Sequence, residues 1–193
     1  MATAESLRDR KKAATRQALH EVALQLALRE GLDNVTVEQI ADEVGVSRRT
    51  FSNYFANKEE AILHAERERT RKLLDLLRGR PPGEKAWLAL RRSALQLYGE
   101  KSTPDLARIE QFRLLMRHPS LMARQAADHF ALAREIAAVL QEREPGMTHE
   151  VARLTATTFM TVLRTAGTLW FEQGGKEPLV DVINRALDRV HIA

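Results

Sequence analysis

Residues 36–61 read TVEQIADEVGVSRRTFSNYFANKEEA, and the punctuation of this stretch decides the fold. Thr36, with Gln39 three positions later, is a capping-box pattern that starts a helix by satisfying two orphan N–H groups reciprocally. Val37, Ile40, Ala41 and Val44 then recur at helical spacing until Gly45 supplies the left-handed conformation that ends a helix. Val46 turns into the core, Ser47 caps a third helix, and Val46 and Phe51 stand at the two positions of a hydrophobic staple. Upstream, Ala18, Leu19, Val22, Ala23, Leu26 and Ala27 form the apolar stripe of a first helix that stops at Gly31, with Leu32 packing back on its last turn. Helix, glycine turn, helix is the helix-turn-helix arrangement.

The third helix divides by face. Phe51 and Phe55, four apart, point inward, while Arg48, Arg49, Ser52 and Asn53 fall on the opposite side. Arg48 and Arg49 occupy the first positions of this helix, and Lys58 the first position of a fourth helix behind an Asn57 cap. Cations there oppose the helix dipole by about 0.3–1 kcal/mol each, so together they ask for an anion. Arginine can bond both acceptors of guanine in the major groove, and Lys58 or the hydroxyls of Thr50 and Tyr54 can hold the phosphate backbone. Arg8, Arg10, Lys11, Lys12 and Arg16 stand against Asp9, a local net charge of +4 ahead of the first helix, as in arms that reach phosphates or the minor groove. The plain alternatives are a solvated face and an ordinary basic tail. Asp33, Glu38, Asp42 and Glu43 are acidic, and the second helix is expected to turn its carboxylates away from DNA.

Composition agrees with a helical protein. Of 193 residues 27 are Ala and 26 Leu, the strongest helix formers, and only 5% are aromatic. There is no cysteine, which excludes disulfides, thiolate metal sites and cysteine nucleophiles. No apolar run approaches the ~18 residues of a membrane span, and the N-terminus lacks the apolar core of a signal peptide, so a cytoplasmic protein is expected. The net charge of +4 says little until its position is known. Further breaks at Gly79 to Gly83, Ser102-Thr103-Pro104, His118-Pro119, Glu144 to Met147 and Gly174 to Pro178 make the chain all-α with about nine helices. Residues 1–57 form a basic arm and three-helix head, and 58–193 a six-helix body.

From Thr15 to Ala61 the sequence resembles the DNA-binding domain of TetR-type transcriptional regulators. The GVS turn, the Thr50-Phe51 and Tyr54-Phe55 pairs and the Lys58-Glu59 start of helix four fall at that family's spacing without a gap. The resemblance implies a DNA-binding head, a divergent ligand-binding body and a homodimer built on the last two helices. It matches Thr50, Tyr54 and Lys58 to phosphate-contacting positions and Arg48, Arg49 and Ser52 to base-facing ones, with Ser47 capping the helix that carries them. Asn53 stands where the family more often has a bulky aromatic.

In the body, a continuous fourth helix over 58–78 would be ~30 Å long, a natural lever between head and body. Helix eight, about 148–173, is apolar or small around most of its girth, which suits body packing on one side and a subunit interface on the other. Trp87, Phe112, Met116, Met122, His129, Phe130, Phe159, Met160 and Arg164 are candidates to line an apolar effector cavity, although each is more often plain core. No zinc-protease, Walker, dinucleotide or nucleophile-elbow motif is present, so no enzyme, metal or cofactor is expected. The sequence is thus read as a dimeric, ligand-responsive regulator, a repressor that leaves a palindromic operator when it binds a small hydrophobic or amphipathic effector. The alternative is a helical small-molecule or protein binding module without sequence-specific DNA reading.

Overall fold

The computed structural model describes residues 7–99 and 106–190. Among them are ten α-helices, one 3-10 turn and no strand. The break expected at Ser102-Thr103-Pro104 lies outside the described residues. The chain forms two compact units, one of residues up to Glu66 with Arg113–Arg124, the other of Arg67–Phe112 with the residues from Gln125 on.

In the N-terminal unit, α1 (Leu7–Glu30) buries Leu19, Ala23, Leu26 and Ala27, most of the stripe read from sequence. It ends at Gly31, φ 85°, and Asn34 Nδ2 donates to the Glu30 carbonyl at 2.8 Å. A 3-10 turn (Leu32–Asn34) leads to α2 (Val37–Val44). Here the capping box forms: Gln39 N donates to Thr36 Oγ1 at 3.2 Å and Thr36 N to Gln39 Oε1 at 2.8 Å. Gly45 takes φ 75°, and Val46 N returns to the Ala41 carbonyl at 2.9 Å. Ser47 Oγ then accepts from Thr50 N at 3.0 Å and opens α3 (Arg48–Ser52), which has only five residues because Asn53 and Tyr54 already form a turn. Asn57 Oδ1 accepts from Glu60 N at 2.9 Å at the start of α4 (Lys58–Ile62).

The core of this unit is Leu19, Leu32, Ile40, Phe51, Phe55 and Ile62, closed by Leu114, Leu115 and Leu121. Each such side chain contributes on the order of 1.5–3 kcal/mol by leaving water. The unit is therefore larger than the 1–57 head expected from sequence, since Ala61, Ile62, Leu63 and the three later leucines complete its interior.

Two further expectations are corrected. Arg8, Arg10, Lys11 and Lys12 do not form an arm ahead of the first helix but are the first turns of α1. The fourth helix is not continuous to Arg78: α4 ends at Ile62 and α5 (His64–Arg78) follows, with Leu63 at φ −84°, ψ 2°. The cause is long-range. His20 Nδ1 lies 2.8 Å from the Ala61 carbonyl, which only accepts, so this nitrogen carries the proton and takes up that acceptor. The ladder tightens beside it, with Glu66 N donating to the Leu63 carbonyl at 3.1 Å.

The second unit contains the rest of α5, α6 (Ala86–Gly99), α7 (Leu106–Arg117) as far as Phe112, α8 (Pro119–Arg143) from Gln125, α9 (His149–Glu172) and α10 (Leu179–Asp188). Leu77, Leu90, Ile136, Leu140, Phe159 and Ile183 are fully buried in its core. Arg143 closes the α5–α6 joint by donating to the carbonyls of Leu77, Arg80 and Pro81 at 2.8–3.1 Å. Glu84, its side chain 6% exposed, is clasped by Arg80 and Arg92. Gly174 and Gly175, φ 73° and 63°, turn the chain into α10, and Trp170 Nε1 donates to the Glu177 carbonyl at 2.8 Å across that turn.

Candidate nucleic-acid interface

The segment around α3 presents one polar surface. Ser47, Arg48, Arg49, Ser52 and Asn53 are exposed and Thr50 and Tyr54 half-buried, while Phe51 and Phe55 lie inside with ring centroids 5.8 Å apart. The residues nominated on this helix are thus brought together, and the two aromatics that orient it are buried as their spacing predicts. A five-residue helix sums few peptide dipoles, so the cations at its start say less than the division of its faces. Ser47 Oγ and Thr50 Oγ1 are 2.9 Å apart, tying both hydroxyls to the cap.

Three charged residues stand differently from expectation. Glu38 does not turn away: its Oε1 lies 2.8 Å from Arg48 Nη1, so an acidic residue of α2 shares the surface with the first arginine of α3. Lys58 points into its own unit, where Nζ donates to the carbonyls of Leu32 at 2.6 Å and Val35 at 2.8 Å. These occupy two of its three N–H donors. Arg16, on α1, reaches the end of the α3 surface, its Cζ 5.8 Å from the Tyr54 ring centroid and 6.0 Å from that of Phe55. Sequence reading counted Arg16 only as one charge among five. Its spacing on the apolar side of α1, three before Leu19, was the available signal. Arg8, Arg10, Lys11 and Lys12 are exposed along the first turns of α1.

The effector candidates are divided between the two units. Met116 and Met122 belong to the N-terminal unit and are exposed. Phe130 is 69% exposed, because Leu132, Ala133, Ile136, Ala137 and Leu140 define the inward face of α8 and Phe130 lies off it. Arg164 is exposed and His129 half-buried. Phe112 stacks on Phe171 at 4.8 Å. Trp87, Phe159 and Met160 do share one core, Trp87 meeting Phe159 edge-on at 6.1 Å. Among the described residues no group of three His, Asp or Glu could hold a metal ion, and no helix is long and apolar enough to cross a membrane.

Fold and surface together define an all-helical chain with a helix-turn-helix head and a basic, hydrogen-bonding exposed face. Residues 19–65 match the family model of bacterial regulatory proteins, tetR family. A curated relative, the HTH-type transcriptional regulator TcmR of Streptomyces glaucescens, is 33% identical over 144 residues, 72% of this chain and 64% of TcmR. The chain thus spans just under two thirds of that relative's length. Among solved structures, the fatty acid degradation regulator FadR of Bacillus halodurans superposes with a TM-score of 0.58 at 19% identity, covering 90% of this chain and 93% of its own. FadR of Thermus thermophilus, a TetR-family repressor in complex with lauroyl-CoA, gives 0.54 at 22% identity over 92% and 97%. The family model over residues 19–65 and the similarity to TcmR both support membership of this chain in the TetR family. Its relatives are transcriptional regulators and not enzymes.

Proposed function

We propose that this protein is a dimeric, ligand-responsive transcriptional regulator, a repressor whose α3 reads the major groove of a palindromic operator. The observation that carries the reading is the division of α3: Arg48, Arg49, Ser52 and Asn53 outward, Phe51 and Phe55 buried. On it Arg48, Arg49 and Ser52 face bases, Asn53 completes the polar edge, and Thr50, Tyr54 and the remaining N–H of Lys58 hold phosphates. The basic residues at the start of α1, from Arg8 to Lys12, add electrostatic attraction.

Dimerisation through α9 and α10 is supported by the outward side of α9. Val151, Leu154, Thr161, Thr165 and Leu169 share one stripe there, all exposed, Leu154 to 61%. A stripe of leucine, valine and threonine methyl groups loses apolar surface to a second copy of the same helix in a two-fold contact. A hydrophobic or amphipathic effector in the second unit is the companion proposal. The apolar surroundings of Trp87, Phe159 and Met160 suit one, and the Thermus FadR of the same fold holds lauroyl-CoA.

Selection of bound sequences from a random duplex pool tests the reading. The expected result is a two-fold symmetric motif with half-site centres about 34–36 Å apart or somewhat further. Recovery of no symmetric motif overturns it.

A further inference from the structure

We propose that Arg16 is a DNA-phosphate ligand, pre-positioned by the aromatic pair Tyr54–Phe55 at the end of α3. The inference rests on the DNA-reading function proposed above and deepens it.

Arginine carries five N–H donors on a planar cation. Among the described residues, those of Arg16 meet no hydrogen-bond acceptor and no carboxylate, and its Nε is fully buried without a partner. A half-buried cation left in this state is uncommon, because desolvating charge without a partner is costly. What holds it is the pair of ring faces, 5.8 Å and 6.0 Å from Cζ. Contact with the two rings holds the cation in place and consumes no donor, so its N–H groups stay available to a ligand.

The ligand chemistry follows from the surroundings. Tyr54 stands two residues beyond Ser52, at the edge of the exposed α3 surface, and Arg16 lies against its ring. A group that meets both an arginine fork and a phenol hydroxyl at the rim of a base-reading surface is a backbone phosphate. Arg16 then contributes affinity and register, and no base preference.

The experiment uses the full chain and a 30-bp duplex carrying the selected operator, with affinity measured by fluorescence anisotropy across a salt series. Arg16→Met keeps an unbranched side chain over the rings and removes the charge. It is expected to bind roughly tenfold more weakly at 0.1 M salt. The slope of log K against log salt becomes shallower by about one unit, and the selected motif is unchanged. Arg16→Lys keeps the charge without the fork, and is expected to hold the wild-type slope while losing several-fold in affinity. An unchanged slope in Arg16→Met, with a lowered melting temperature, assigns Arg16 to packing alone and overturns the inference. So does wild-type affinity in Arg16→Lys, whether or not the methionine variant folds. A wild-type chain that binds no duplex overturns the parent reading and the inference together, whereas normal wild-type binding with either of the former results overturns only the role of Arg16.

Discussion

Arg48, the first residue of α3, is held by Glu38 of α2 through a 2.8 Å Nη1–Oε1 contact on the exposed polar surface of the N-terminal unit. Both side chains are largely solvated, so the pair contributes only about 0–1 kcal/mol to folding. Under the proposed function its weight lies in binding, where the carboxylate would meet the phosphate field and compete for the arginine. Glu38→Gln is expected to leave the melting temperature within about 2 °C, a change of under ~0.5 kcal/mol. Binding to mixed-sequence duplex rises several-fold, most at low salt. Anisotropy titrations at two ionic strengths check this, and equal affinity at both would remove Glu38 from the interface.

Arg48→Ala is expected to act on sequence preference. Losing a bidentate contact costs about 1–3 kcal/mol at one base pair while mixed-sequence binding falls far less. Repeating the selection with this variant should show one position of each half-site relaxed. A motif identical to wild type refutes base reading by Arg48.

Lys58→Met separates stability from contact. Removing Nζ leaves the Leu32 and Val35 carbonyls without their charged donor, at a cost of about 1–3 kcal/mol to the N-terminal unit. Urea unfolding followed by far-UV circular dichroism measures it. A stability equal to wild type would mean that these two hydrogen bonds contribute nothing net.

Glu84 sets an acid limit. The hydrogen bond from Arg80, reinforced by Arg92 against the cost of burial, holds its carboxyl at about 2 from an ordinary 4.5. A carboxyl whose folded value is depressed stabilises the fold above its unfolded value and loses that contribution as pH falls toward the folded one. The gap in melting temperature between wild type and Glu84→Gln is therefore widest above about pH 5 and closes toward pH 2. A gap that stays constant over that range contradicts the assignment.

Two glycines with similar backbones should respond differently. Gly45→Ala meets nothing within 4 Å and pays only for φ 75°, about 1–2 kcal/mol. Gly175→Ala pays a similar cost at φ 63° and also places its Cβ 2.7 Å from Ile109 Cδ1 and 3.1 Å from Trp170 Cζ2. The alanine at 175 is expected to be the more destabilising in urea; the reverse order would show that Ile109 yields freely.

What was readable in advance was local. Thr36 with Gln39, Gly45, Ser47 and Asn57 act within four residues of themselves, so their caps follow from spacing, and Phe51 with Phe55 fixes the inward side of α3. What was missed depends on partners far along the chain. Lys58 bonds backbone carbonyls 26 and 23 residues away, which every sequence possesses and none advertises. The interruption at Leu63 follows from His20 reaching Ala61 across 41 residues. Glu38 meets Arg48 only through the crossing of α2 and α3, and Phe130 is outward because of the side of α8 that its neighbours bury.

The two bonds of Lys58 also close a ring. They join the end of the first joint to the start of α4 and enclose α2, the glycine turn and α3 in a loop of roughly two dozen residues, in a chain with no cysteine to do so covalently. Closing such a loop removes chain entropy that grows only with the logarithm of its length. The ammonium thus acts as a reversible cross-link, and α3 opens to solvent together with its ring or stays shut with it.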